Sequence, residues 1–132
     1  MIVEDETQLA AVRERLFSAF ARADAPVHGH LDLTYRCDLR CQHCYLHEKD
    51  DWPEMTTAEW LAVLPQLRDA GVVRLLWSGG EVILRPDLGV LLAAAAALGF
   101  GSVVKTHAAN LTRDRAAMLA AHGVLRVDVS IY

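Results

Sequence analysis

Three closely spaced cysteines are the residues of this 132-residue chain whose type and spacing best suit chemistry. Cys37, Cys41 and Cys44 are its only cysteines, and they follow a C-x3-C-x2-C pattern. A cubane iron–sulfur cluster normally takes four thiolates, so three cysteines leave one iron without a protein ligand. An open metal position allows chemistry, whereas a closed one serves structural support. The spacing therefore indicates a reactive iron–sulfur site.

Two other interpretations of the cysteines stay open. They could be buried structural residues that share one helical stripe, although all three fall within eight residues directly after a strand. They could instead bind zinc, with His43 or His47 as the fourth ligand. Structural zinc sites usually join two separated segments, whereas here every ligand would lie within eleven residues.

Composition and charge restrict the class of protein. The chain has the length of one domain with a buried core, and it is 53% hydrophobic and 23% charged. Its net charge of −4 argues against a nucleic-acid partner. The longest apolar run, Leu88 to Leu98, is too short to cross a bilayer, and no secretory signal is visible, so we expect no membrane partner. An odd number of clustered cysteines predicts a reducing, cytoplasmic location.

Strand-like and helix-like segments alternate after an N-terminal helix. The predicted elements are a helix from about Glu6 to Ala23, strands at His30–Tyr35, Val72–Trp77, Ser102–Thr106 and Leu125–Tyr132, and helices opening after Thr56, at Pro86 and after Thr112. Thr56 and Glu59 form a capping-box pattern, and Pro65 suggests a kink in the helix that follows. The alternation predicts a parallel sheet with right-handed crossovers.

The fourth predicted strand has one apolar and one polar face. Leu125, Val127, Val129 and Ile131 alternate with Arg126, Asp128, Ser130 and Tyr132, and the first strand alternates in the same way. We therefore expect one sheet face to be apolar and covered by helices, and the other to be polar. A curved sheet with a polar concave side suits a partial barrel around a polar ligand. A polar face exposed at the surface, or paired with a missing partner, is the alternative.

The segment from Tyr35 to Tyr45 resembles the cluster-binding loop of the radical S-adenosylmethionine (radical SAM) enzymes, most clearly at Leu39 and at His43-Cys44-Tyr45. The resemblance covers residues 28–132 and implies a (βα) partial barrel with about four of an expected six strands, preceded by a helical segment at residues 1–27. It implies that the three thiolates hold a [4Fe–4S] cluster whose fourth iron chelates the amino and carboxylate groups of SAM. Reduction would cleave SAM to methionine and a 5′-deoxyadenosyl radical that abstracts hydrogen from the substrate.

Further residues match the family where it binds SAM. Gly79-Gly80-Glu81 resembles the turn that receives the SAM ammonium through backbone carbonyls and the carboxylate, because glycine permits close approach and glutamate complements a cation. Ser130 stands where related proteins use a serine near the ribose or carboxylate of SAM, and Tyr45 lies beside the cluster. Thr106-His107-Ala108 replaces the Thr-Asn-Gly common in relatives, and no role is assigned to His107. The resemblance marks no catalytic side chain in this chain.

The sequence of the cysteine loop is most similar to that of maturases of peptides and of peptide-derived cofactors. This resemblance implies a reductant such as flavodoxin or ferredoxin, and a peptide or small-molecule substrate. Because the family barrel has six strands, we expect the chain to be the N-terminal part of a longer enzyme or a truncated relative. Two alternatives remain: a fragment that binds cluster and SAM without turnover, and a non-catalytic zinc-binding module.

Overall fold

A computed structural model describes residues 6–23, 26–46 and 52–131 of the chain. The helices are α1 (Glu6–Ala23), α2 (Thr57–Asp69), α3 (Leu88–Ala97) and α4 (Arg113–Ala121), with a 3-10 turn at Val82–Leu84, and the strands are β1 (His28–Thr34), β2 (Arg74–Gly79), β3 (Gly101–Thr106) and β4 (Val124–Val129). The strands form one parallel sheet in the order β1-β2-β3-β4. This confirms the predicted α/β fold with four parallel strands. His47 and Tyr132 lie outside the described residues.

Several element boundaries differ from those predicted. β2 begins at Arg74 and not at Val72, because the Val72 N–H donates to the Leu67 carbonyl and closes the turn after α2. α3 begins at Leu88, two residues after Pro86, because the Leu91 N–H donates to the Asp87 carbonyl at 3.1 Å, which makes Asp87 the N-cap residue. The capping box of Thr56 is present, and α2 continues through Pro65.

The core lies between one face of the sheet and the helices that cross over it. The strand register places Leu31, Trp77 and Val104 side by side on this face, and all three are buried. Leu64 of α2 and Leu91 of α3 pack against them without any exposure. The apolar, helix-covered face predicted from the alternating strands is therefore present across β1, β2 and β3.

The apolar face of β4 is covered less than the alternation predicts. Val127 packs against the core, but Leu125 is 66% exposed and Ile131 is 86% exposed. The reason is position, because β4 ends the strand order and has a neighbouring strand on one side only. Two apolar residues of α1, Val12 and Leu16, are also about half exposed. Among the described residues, none forms a helix with the length and apolar character needed to cross a bilayer.

A buried arginine ties β1 to the starts of α2 and α3. Arg85 donates from Nη1 to the Leu33 carbonyl, from Nη2 to the Met55 carbonyl at 2.8 Å, and from Nε to Asp87 Oδ1 at 2.7 Å. Asp87 also accepts a 2.6 Å hydrogen bond from Thr57 Oγ1. The Arg85 donors hold the pKa of Asp87 below its ordinary value of 3.8, so this carboxylate is ionised at neutral pH.

We expect Asp87→Asn to lower the free energy of unfolding by about 1–3 kcal/mol at neutral pH, because it leaves the buried guanidinium without a counter-charge. The folded-state pKa of Asp87 is depressed, so its contribution is complete above about pH 4 and is lost as pH falls through that pKa. Urea unfolding over a pH series should therefore show the two proteins converging in acid. Asp114→Asn, at an exposed position in the first turn of α4, is the control and should change stability by less than about 1 kcal/mol. A difference that stays constant into acid would contradict the ion-pair account.

Candidate functional site

A single pocket at the carboxyl ends of the strands collects all but one of the predicted site residues. Its lining includes Cys37, Cys41, Cys44, Tyr45, Gly79, Gly80 and Ser130, together with Lys105 and His107. Ser130 reaches the pocket because its N–H donates to the Thr106 carbonyl at 3.0 Å and continues the pairing of β4 with β3. The exception is Glu81, which lies behind the pocket wall with no exposed surface.

Backbone N–H groups of the cysteine loop point at two of its sulfur atoms. The Leu39 N–H donates to Cys37 Sγ and the Leu46 N–H donates to Cys44 Sγ, each at 3.4 Å. The Cys44 N–H donates to the Cys41 carbonyl at 3.0 Å, which closes a tight turn between these two residues. All three cysteines are half-buried, so each sulfur is accessible from the pocket. Amide donors of this kind stabilise negative charge on sulfur.

The surroundings of Cys37 disfavour a free thiolate. Burial raises the pKa of the Cys37 thiol above 9.0, the Leu39 N–H opposes this effect, and the negative charges of Asp38 and Glu81 raise the pKa further. A metal ligand must be deprotonated, so the charge of a bound metal would replace the proton. The negative charge near Cys37 therefore favours a bound metal cation at this sulfur.

Gly79 and Gly80 allow two backbone segments to meet. The Gly80 N–H donates to the Thr34 carbonyl at 2.8 Å, and the Glu81 N–H donates to the Arg36 carbonyl at 2.9 Å. A Cβ at Gly79 would lie 2.2 Å from the Thr34 oxygen, and one at Gly80 would lie 2.3 Å from the Arg36 oxygen. Sequence reasoning explained these glycines by the approach of a ligand. In the structure, the end of β1 occupies the space that a side chain would need.

Glu81 bonds within the protein. Its carboxylate accepts from the Ile83 N–H at 3.0 Å, Thr106 Oγ1 at 2.7 Å and the His107 N–H at 2.9 Å, and His107 Nε2 lies 3.0 Å from Oε2. These four donors satisfy a buried anion, which would otherwise be costly. The predicted role of Glu81 toward the SAM ammonium stays a prediction, and the accessible parts of the turn are Gly79 and Gly80.

Glu54 is a positioning residue that sequence reasoning missed. It accepts from Thr34 Oγ1 at 2.6 Å, the Tyr35 N–H at 2.9 Å and Arg36 Nη2 at 3.1 Å. Burial opposes its ionisation, but these hydrogen bonds outweigh that effect and lower the pKa of Glu54. The carboxylate thereby fixes the backbone immediately before Cys37. An acidic residue shortly before a helix carries no sequence signal for this contact.

Asp38, His107 and Asn110 form a second missed group. Asp38 accepts from His107 Nε2 at 3.0 Å and from Asn110 Nδ2 at 2.8 Å. The Asn110 amide and then the His107 ring lower the pKa of Asp38. His107 Nδ1 accepts a 3.1 Å hydrogen bond from the Ala109 N–H. These contacts link the cysteine loop to the loop that follows β3.

Ala108 has an unusual backbone conformation. Its φ is 63°, and no other non-glycine residue in the described part of the chain has a positive φ. This left-handed region suits glycine, because a Cβ there contacts the following carbonyl oxygen. The geometry gives a physical reason for the glycine expected at this position from the Thr-Asn-Gly pattern.

The sequence from β1 onward matches a known family. Residues 31–132 match the Radical SAM superfamily. The chain belongs to the radical SAM superfamily. This confirms the family resemblance inferred from the cysteine loop. This radical SAM chain is also 38% identical over 109 residues to a PqqA peptide cyclase from Streptomyces rochei, a match that covers 81% of the chain and 30% of the relative.

Two solved structures of one protein, SuiB, have the same fold as the described part of this chain. SuiB from Streptococcus suis bound to the precursor peptide SuiA matches with a TM-score of 0.65 and 21% identity, over 90% of the radical SAM chain and 28% of SuiB. SuiB bound to S-adenosylmethionine matches with a TM-score of 0.61 and 20% identity, over 91% and 27%. At this identity the likeness establishes the fold. The chain spans less than a third of the length of these proteins.

We expect Gly80→Ala to destabilise the radical SAM chain by more than about 3 kcal/mol, because its Cβ would meet the Arg36 carbonyl oxygen, which cannot move without losing its hydrogen bond from the Glu81 N–H. Gly89→Ala is the matched control: it lies inside α3, and its Cβ would be in ordinary contact with Met118 at 3.5 Å. This control should be neutral or stabilising by up to about 1 kcal/mol. Chemical denaturation measures both, and equal effects would contradict the steric account.

Ala108→Gly should raise the free energy of unfolding by roughly 0.5–1 kcal/mol, because it removes the cost of a left-handed alanine. Ala109→Gly is the control, since Ala109 lies in the same turn without a positive φ, and it should be neutral or destabilising. Thermal unfolding of the two variants tests the difference. The same sign for both would contradict strain at Ala108.

Proposed function

We propose that the chain is the cluster- and SAM-binding part of a radical SAM enzyme. The observation that carries the proposal is the convergence of Cys37, Cys41, Cys44, the Gly79–Gly80 turn and Ser130 on one pocket in a chain of this family. Three half-buried sulfurs, two of them receiving amide hydrogen bonds, suit a [4Fe–4S] cluster with one iron left open. When bound, cluster and SAM supply reductive cleavage of SAM to a 5′-deoxyadenosyl radical that abstracts hydrogen.

The residues of the chain bind and orient these groups. The cysteines would hold three irons of the cluster, and the backbone of Gly79 and Gly80, which lines the same pocket, would bind the amino-acid end of SAM. Ser130 offers a hydroxyl that can donate to a carboxylate or accept from a ribose hydroxyl. Tyr45 Oη donates to Asp32 Oδ2 at 3.4 Å, which places the ring at the pocket wall.

We infer peptide maturation as the biological role. A relative with 38% identity is named PqqA peptide cyclase, and a structural neighbour was solved with a precursor peptide. The peptide substrate, a flavodoxin or ferredoxin reductant and a cytoplasmic location belong to this proposal. A second candidate is a fragment that binds cluster and SAM without turnover.

Anaerobic reconstitution tests the proposal. The wild-type chain should take up about four iron and four sulfide and show a cluster chromophore, whereas the triple variant Cys37→Ala, Cys41→Ala, Cys44→Ala should take up none. His43→Ala is the control, because His43 lines the pocket and would be a ligand only in the zinc alternative. It should leave iron uptake unchanged.

Reduction by dithionite with SAM separates the remaining candidates. Formation of 5′-deoxyadenosine supports the enzyme, and SAM binding without this product supports the fragment without turnover. Iron uptake by the triple variant equal to that of wild type would contradict both. Stoichiometric zinc without a chromophore would favour the zinc-binding module.

A further inference from the structure

Asp38 is a surface carboxylate that accepts two side-chain hydrogen bonds. Its side chain is 42% exposed, yet each oxygen accepts a hydrogen bond, one from His107 Nε2 at 3.0 Å and the other from Asn110 Nδ2 at 2.8 Å. The donors lie 69 and 72 residues later in the chain, in the loop between β3 and α4. Asp38 directly follows Cys37, so whatever fixes Asp38 also restricts the first cysteine of the loop.

His107 joins this carboxylate to Glu81. Because Nδ1 accepts from the Ala109 N–H, the ring proton lies on Nε2. Nε2 is 3.0 Å from Asp38 Oδ1 and 3.0 Å from Glu81 Oε2, so one N–H is shared by two carboxylates. A single ring therefore spans the cysteine loop and the Gly-Gly-Glu turn.

A mononuclear metal site is the other interpretation of this group. Ligand atoms of Cys37, Asp38 and His107 lie within 4.8 Å of one another. Coordination through Nε2 would require that nitrogen to be unprotonated, which moves the ring proton to Nδ1 and directs it at the Ala109 N–H. The hydrogen bond at Nδ1 thus favours hydrogen bonding over metal coordination at Nε2.

We propose that Asp38, His107 and Asn110 form a clasp that holds the cysteine loop against the end of β3 and positions the cluster relative to the SAM-binding turn. All three are positioning residues, since they act through Cys37 and Glu81. The part of the proposal in which the clasp positions the cluster rests on the proposed function. The part in which the clasp holds the cysteine loop against the end of β3 does not depend on it.

Amide hydrogen exchange of the cluster-free, reduced 132-residue chain tests the clasp. Asp38→Ala and His107→Ala should each accelerate exchange at residues 38–44 by about tenfold or more, because each removes a hydrogen bond to a charged group. The double variant should exchange no faster than Asp38→Ala, because Asp38→Ala already removes both hydrogen bonds by which His107 and Asn110 reach the cysteine loop. His107→Gln should stay within about twofold of wild type, because its amide can donate to both carboxylates.

Two controls keep this comparison interpretable. His122→Ala, at the end of α4, removes a histidine far from the loop and should leave its exchange unchanged. Asp38 is on the surface, so Asp38→Ala tests the clasp even if His107→Ala reduces global stability. Wild-type exchange in Asp38→Ala would overturn the proposal.

Cluster lability in the reconstituted chain tests the positioning role. Asp38→Ala and His107→Ala should still take up about four irons but release them to a chelator about tenfold faster, and the change that SAM causes in the EPR spectrum of the reduced cluster should differ from wild type. His107→Gln should restore both readouts. Unchanged release and an unchanged spectrum would overturn positioning, even with faster amide exchange. Absence of iron in the wild-type chain would instead refute the proposed function, and hydrogen exchange would still decide the clasp.

Discussion

The site depends on a direct backbone contact between the end of β1 and the turn after β2. The Gly80 N–H donates to the Thr34 carbonyl, and the Glu81 N–H donates to the Arg36 carbonyl. These segments lie so close together that neither Gly79 nor Gly80 has room for a side chain. This contact sets where the cysteine loop leaves the sheet and brings the Gly-Gly turn beside it. It also directs the Glu81 side chain inward, where it can organise the loop after β3.

Three carboxylates surround the cysteine loop, and each is held by several donors. Glu54 fixes the backbone before the loop, Asp38 fixes its first turn, and Glu81 lies buried behind it. Two of them, Asp38 and Glu81, add to the effect of burial in raising the pKa of the Cys37 thiol, which must lose its proton to bind metal. Burial and this charge together disfavour a free thiolate at Cys37. The carboxylates therefore fix the geometry of the loop through the hydrogen bonds that they accept.

Residue type and local spacing predict the parts of this site that are close in sequence. The cysteine triplet, the glycine pair and the alternation of β4 each marked residues that the structure brings to one pocket, where the carboxyl ends of the parallel strands meet at the same edge of the sheet. Contacts made across long separations carried no such signal. The pairing of Asp38 with His107 depends on where two loops end up in space, and the internal bonds of Glu81 depend on the path of the turn.

Boundaries and exposure were predicted less well for related reasons. The helix after Pro86 begins only at Leu88, with Asp87 as its N-cap residue, and the Asp87 carboxylate bonds to Arg85 and to the distant Thr57 and not to the N–H groups of the helix. The alternation of β4 correctly gives the two faces, but coverage of a face depends on neighbouring elements that the strand itself does not specify. Periodicity therefore reports which side chains share a face and not what covers that face.

The long separation between Asp38 and its partners has a consequence for the order of assembly during synthesis. At about 5–20 residues per second, the ribosome would add the 69 residues between Asp38 and His107 in about 3–14 s. Over that interval the cysteines have been made but β2, β3 and their crossover helices have not yet packed against them. The thiols thus spend seconds in an open chain, where oxidation or a competing metal could reach them before the fold encloses the loop. Efficient loading of the metal site would then require a reducing environment during translation, or delivery of the metal only after β3 has been made and has packed.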